Sequence, residues 1–145
     1  MLAPFVALDV KRLALIIATV AAGLWLGGIV HLLIAIQSLF SENRSLGSNA
    51  GPTLFGVFQW YGLGLGIVTA IAAWLGKAKA VGLLAIVGIV AAALLPIWIM
   101  PAMGAAESGS EAFKRLHGLS MIVYLVEFAG AAAATLLLAW RAGRP

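Results

Sequence analysis

The sequence predicts an all-α integral membrane protein, a bundle of four transmembrane helices, and composition and hydropathy patterning together carry that prediction. The chain of 145 residues is 63% hydrophobic and only 10% charged, and its mean hydropathy is +1.10. Soluble domains are typically about 45–50% apolar and about 25% charged. The apolar residues form four runs, at residues 13–37, 54–76, 80–100 and 119–140. Each run is close in length to the roughly 20 residues that a helix needs to cross a bilayer.

The four runs are expected to be helices of a single domain, residues 1–145. Lipid offers the backbone no hydrogen-bonding partner, so each run must satisfy its own N–H and C=O groups, as a helix does. The first run follows Lys11 and Arg12, as in a signal peptide. Its apolar stretch is longer than the roughly 7–15 residues of a signal core, so we expect a retained helix.

The segments between the runs also carry local signals. Residues 38–52 are rich in Ser, Asn and Gly, so we expect a loop there between the first two helices. Pro96 lacks an N–H inside the third run, so a bend is expected there. Ser110, followed by Glu111, has the chemistry of a helix start, so the fourth helix is expected to begin before its apolar run.

Charge distribution predicts the orientation of the chain. One side of the four-span arrangement carries six basic residues and Asp9, and the other carries Arg44, Lys114 and Arg115 with three glutamates. Basic residues concentrate on the cytoplasmic side of membrane proteins, so both termini are expected in the cytoplasm. The six basic residues are Lys11, Arg12, Lys77, Lys79, Arg141 and Arg144.

Pairs of small residues predict close helix contacts. Gly23 and Gly27 are four apart, as are Gly62 and Gly66. Glycines at this spacing let helix backbones approach each other closely in membranes.

The two histidines are candidates for a metal or cofactor site. His31 lies within the first run and His117 just before the fourth, both toward the outer side. Ionisable residues in a membrane span are costly and often functional. Facing histidines at similar depth would suit copper, haem iron or chlorophyll magnesium, and thioethers favour Cu(I) in particular. The nearby methionines are Met100, Met103 and Met121. The structural alternative is that the methionines fill space and the histidines satisfy backbone carbonyls.

Glu127 is the only acidic residue inside an apolar run. Ser120 and Tyr124 lie on the same stripe of the helix, and a carboxyl group at this depth requires a hydrogen-bond donor. Tyr61 and Trp60 are candidate donors, and Gln59 is another polar residue able to donate across the bundle. An interhelical hydrogen bond is favoured over a proton or cation relay, since a single carboxylate makes a poor pathway.

Several function classes lack their signatures. The chain has no cysteine, which excludes thiolate metal sites and cysteine nucleophiles. It has no phosphate-binding glycine loop, no metalloprotease motif and no nucleophile elbow. We therefore expect a protein that is not an enzyme and does not bind nucleic acid.

Two motifs suggest a family. The stretch "GLWLGGIVHLLIAIQSLF" contains Trp25 and Gly27, and "FKRLHGLSMIVYLVE" contains Phe113, His117, Gly118 and Ser120. Together they resemble the bacterial relatives of transmembrane protein 205, four-helix membrane proteins of poorly defined activity. The first helix departs from the family's "PxLF" element, having "QSLF" instead. The resemblance implies a bacterial cytoplasmic (inner) membrane location and makes His117 and Ser120 stronger candidates.

The function expected from these features is structural. We predict a non-catalytic accessory subunit in the lipid bilayer that packs against other membrane subunits or against copies of itself. The alternatives are a small metal-handling or transport protein with an outer His/Met site, and a haem-binding or chlorophyll-binding subunit.

Overall fold

The chain folds into long α-helices. The computed structural model describes residues 9–142, apart from the side chain of Ser48, and Arg144 of the topology prediction lies outside that range. No strand occurs among residues 9–142. The elements are α1 Val10–Glu42, α2 Arg44–Leu75, α3 Lys79–Leu94, a π-helical turn Leu95–Ile99, α4 Met100–Ala105 and α5 Glu111–Ala142.

Four helical stretches within residues 9–142 are long and apolar enough to cross a membrane. The third of them combines α3, the π-helical turn and α4 as Lys79–Ala105. The predicted runs fall inside these stretches, except that α2 ends one residue before the second run does. The predicted all-helical fold, with four stretches long and apolar enough to cross a membrane, is thereby confirmed for residues 9–142.

The predicted loop at residues 38–52 is wrong, because the chain there is almost entirely helical. Only Asn43 interrupts the helices, with extended backbone angles of φ −153° and ψ 110°. Its side chain accepts hydrogen bonds from the backbone N–H groups of Ser45 and Leu46 and so caps α2. Gly47 leaves room for the Phe40 ring, which a Cβ atom would meet at 2.8 Å. Capping by Asn and this close approach together replace the loop with a one-residue turn.

The chain departs from α-helical geometry at Pro96, as its missing N–H predicts. Residues 95–99 form a π-helical turn, in which the N–H of Met100 donates to the carbonyl of Leu95. A wider turn of this kind accommodates a residue that cannot donate its own hydrogen bond.

The start of α5 is the predicted one. The hydroxyl of Ser110 accepts a hydrogen bond from the N–H of Phe113 at 3.2 Å. Glu111 pairs with Lys114 at 2.9 Å on the exposed surface. The helix therefore begins eight residues before the apolar run that starts at residue 119.

Each long helix packs on two neighbours, which closes the bundle. Helix α1 contacts α2 and α5, and α3 contacts α2 and α5. The core between them consists largely of small side chains, and buried alanines such as Ala18, Ala22 and Ala134 have no exposed surface. Helices α3 and α5 cross closely, since a Cβ on Gly130 would lie 3.2 Å from the Cα of Gly88. Such contacts hold membrane helices together by close packing.

Gly88→Ala is expected to destabilise the bundle by about 1–3 kcal/mol, because overpacking a filled core forces neighbours to move. The added Cβ would lie 2.5 Å from Cη2 of the buried Trp25 ring. Thermal unfolding in mild detergent, followed by circular dichroism, measures the effect.

Gly64→Ala is the matched control, because no heavy atom lies within 4 Å of the position a Cβ would take. Alanine is also the better helix former by about 1 kcal/mol, so this variant should be as stable as the wild type or more so. Equal stability of the two variants would contradict the close packing at Gly88.

Candidate functional site

The most unusual feature of the bundle is a carboxyl group enclosed in its centre. Glu127 on α5 is 1% exposed. Its Oε1 accepts a hydrogen bond from Nε1 of Trp25 on α1, at 3.0 Å. The side chain of Gln59 on α2, also 1% exposed, lines the same small cavity as this carboxyl group. Three helices therefore meet at one polar cluster, Trp25, Gln59 and Glu127.

Glycines on two helices make room for the Trp25 ring. A Cβ on Gly62 would lie 3.0 Å from Nε1 of Trp25 and 2.9 Å from Oε1 of Glu127. On Gly66 it would lie 3.1 Å from the ring, and on Gly88 2.5 Å from it. The hydrogen bond and the packing of the Trp25 ring therefore both depend on these three residues being glycines.

Two oxygen atoms of the cluster have no hydrogen-bond partner. They are Oε1 of Gln59 and Oε2 of Glu127, both buried. Both residues line one small cavity together with Trp25, Gly28, Ile29, Leu32, Phe58, Tyr61, Gly62 and Tyr124. The cavity has room for about one water molecule. No Lys, Arg or His lines it.

The predicted stripe on α5 divides between two environments. Tyr124 lines the cavity with Glu127, and its hydroxyl lies 3.5 Å from the carbonyl oxygen of Ile29 on α1. The Tyr124 ring meets Phe55 edge-on, with centroids 5.6 Å apart. Ser120 instead donates to the carbonyl of His117 in its own helix, at 2.7 Å. Of the three residues on this stripe, only Tyr124 and Glu127 therefore line the cavity.

The structure places the two histidines in different settings. His31 lines a groove between α1 and α2. His117 is exposed on α5 and stacks on Phe113, with ring centroids 6.3 Å apart. Among residues 9–142, no three His, Cys, Asp or Glu side chains form a group that could hold a metal ion. A site that joins His31 to His117 therefore stays a prediction.

The methionines that were predicted to join such a site also lie in different surroundings. Met103 packs against the hydrophobic core. Met100 is half-buried and begins α4. Met121 is 57% exposed on α5. Their role as copper ligands is likewise a prediction that no contact described above tests.

The predicted glycine pairs differ in what they face. Gly62 and Gly66 lie against Trp25, inside the bundle. Gly23 and Gly27 face outward, and no heavy atom lies within 4 Å of the position a Cβ would take at either one. Gly62 and Gly66 therefore pack helices of this chain together, whereas Gly23 and Gly27 pack against none of them.

The donors proposed for Glu127 from sequence need correction. Trp60 and Tyr61 are 59% and 47% exposed, and the bound donor is Trp25. Trp60 follows Gln59 in the chain but lies about 100° further around α2, which places it on the exposed side of the helix. A signal was available, because Trp25 lies in the middle of its apolar run, where an indole N–H needs an acceptor.

Comparison with known proteins adds no relative. No protein-family model, no curated protein and no solved structure matches the chain. The resemblance to the transmembrane protein 205 family therefore stays a prediction from the two sequence motifs.

Trp25→Phe is expected to lower the free energy of unfolding by about 1–3 kcal/mol, because Oε1 of Glu127 loses its donor while it stays buried. Chemical or thermal unfolding of the protein in mild detergent measures the loss. Trp98→Phe is the control, since Trp98 is 56% exposed on the outer surface. A loss of equal size in both variants would show that the indole N–H of Trp25 contributes nothing specific.

Proposed function

We propose that the chain is a non-catalytic polytopic membrane protein that packs, as an accessory or structural subunit, against other helices in a larger membrane assembly. The observation that carries this proposal is a stripe of Gly23, Gly27 and His31 on the outer face of α1. These residues are spaced by four, so they lie on one side of the helix. All three are exposed.

The stripe forms one wall of an open groove. The groove has a volume of about 440 Å³ and is completed by Leu24 and Gly28 of α1 and by Val57, Phe58 and Tyr61 of α2. Its surface is mostly apolar, and the two outward glycines expose the α1 backbone there. Small-residue stripes of this kind let a second helix approach closely enough for backbone contact.

The surroundings of His31 favour contact with a partner protein rather than with lipid alone. Among residues 9–142, no hydrogen bond to its side chain is present, and its ring is exposed within an apolar helix. Lipid tails offer an imidazole nothing to bind, so a polar group at this depth gains from a partner helix. The partner is either another membrane subunit or a second copy of this chain.

Location and orientation are part of the same proposal. The excess of basic residues beside the ends and the α2–α3 turn supports cytoplasmic termini. The motif resemblance supports a place in a bacterial cytoplasmic membrane and a relationship to the transmembrane protein 205 family.

Gly27→Leu is expected to weaken association at least roughly tenfold, or about 1.4 kcal/mol, since the side chain would fill the groove. The fold should be unaffected, because no heavy atom lies within 4 Å of the position a Cβ would take at Gly27. Native mass spectrometry after gentle extraction from native membranes measures the fraction of the chain in the assembly.

Gly118→Leu is the matched control. Gly118 also has open space around it but lies on α5, away from the groove. It should leave the assembly intact. If the wild-type chain itself emerges alone from gently extracted membranes, the proposed function is wrong.

A further inference from the structure

The cavity beside Glu127 presents an unbalanced set of hydrogen-bonding groups. Oε1 of Gln59 and Oε2 of Glu127 both lack a partner, although each residue is 1% exposed. An amide oxygen and an ionised carboxylate oxygen can only accept hydrogen bonds. Two buried acceptors therefore share one cavity, and no lining side chain places a donor within hydrogen-bond distance of either.

The cavity also lacks positive charge. Its titratable lining residues besides Glu127 are Tyr61 from α2 and Tyr124 from α5. Helix α1 contributes Trp25, Gly28, Ile29 and Leu32, which carry no charge, and no residue of α3 lines it. An ionised carboxylate here would be a buried, uncompensated charge, which is among the costliest arrangements in a membrane protein.

We propose that the cavity is a proton-binding site, in which Glu127 carries an exchangeable proton on Oε2 and shares it with Oε1 of Gln59. One proton removes the charge and supplies the missing donor at once. Oε1 of Glu127 keeps its hydrogen bond from Trp25, because a protonated carboxyl group still accepts at its carbonyl oxygen.

The lining favours a proton over a metal cation. Hard cations such as Ca²⁺ and Mg²⁺ take about six to eight oxygen ligands. This cavity offers two unpartnered carbonyl-type oxygens, and much of its wall is apolar, with Ile29, Leu32 and Phe58. A proton needs only the two oxygens that are present.

The cavity adjoins the groove on the outer face. Gly28, Phe58 and Tyr61 line both the cavity and the groove, so they form the wall between them. At Gly28 the Tyr61 ring packs directly on the α1 backbone, 3.2 Å from where a Cβ would be. His31 lies on the groove side of that wall, and an imidazole ring can both donate and accept a hydrogen bond.

Infrared spectroscopy of the full chain in maltoside detergent at pH 7 tests the proposal. The other acidic side chains among residues 9–142, Asp9, Glu42, Glu107 and Glu111, are all exposed, so Glu127 is the one buried carboxyl group in this range. We expect one C=O stretching band of a protonated carboxyl group, which shifts in D₂O. The band should be absent in Glu127→Gln and retained in the matched control Glu107→Gln.

A second measurement keeps the test independent of whether Glu127→Gln folds. Labelling the glutamate carboxyl carbon of the wild-type protein with ¹³C should shift the same band. Absence of the band in the wild type, or its loss on addition of Na⁺ at constant pH, would overturn the proposal. The second result would assign the cavity to a metal cation instead. Neither outcome bears on the assembly tested with Gly27→Leu.

Discussion

The hydrogen bond between Nε1 of Trp25 and Oε1 of Glu127 is the interaction on which the rest of the bundle depends. It joins two helices whose hydrogen-bonded residues are 102 positions apart in the chain. The indole reaches the carboxyl group only because Gly62, Gly66 and Gly88 leave space for its ring. A polar bond in lipid is modest in energy, so its influence comes from the packing that it positions. The small residues of α2 and α3 therefore make the close approach of all four helices possible.

Close packing of the helices also fits the short turn between α1 and α2. Asn43 alone separates α1 from α2, so their antiparallel packing begins at the first turn. A helix of 33 residues, such as α1, extends about 50 Å at 1.5 Å per residue, which exceeds the roughly 30 Å hydrocarbon thickness. The helices consequently continue beyond the apolar runs. Polar residues at positions 38–52 lie on helix ends rather than in a loop.

Sequence reasoning was strongest where one residue type determines the outcome. Apolar runs identified the four helical stretches that are long and apolar enough to cross a membrane, Pro96 marked the irregular turn, and Ser110 marked the start of α5. Pairing across the bundle was harder, because rotation about the helix axes decides whether Trp25 or Trp60 faces Glu127. The Gly23 and Gly62 pairs have identical spacing, yet one faces outward and the other inward. Spacing alone contains no information about which side of a helix meets a neighbour.

The two faces of α1 connect the assembly to the buried carboxyl group. Trp25, Ile29 and Leu32 face the core, whereas Gly23, Gly27 and His31 face the groove. Gly28 belongs to both sides, together with Phe58 and Tyr61 of α2. A helix seated in the groove would therefore cover the wall that encloses the proton site. Since the same three residues line both spaces, binding of a partner and exchange of the proton on Glu127 would be linked.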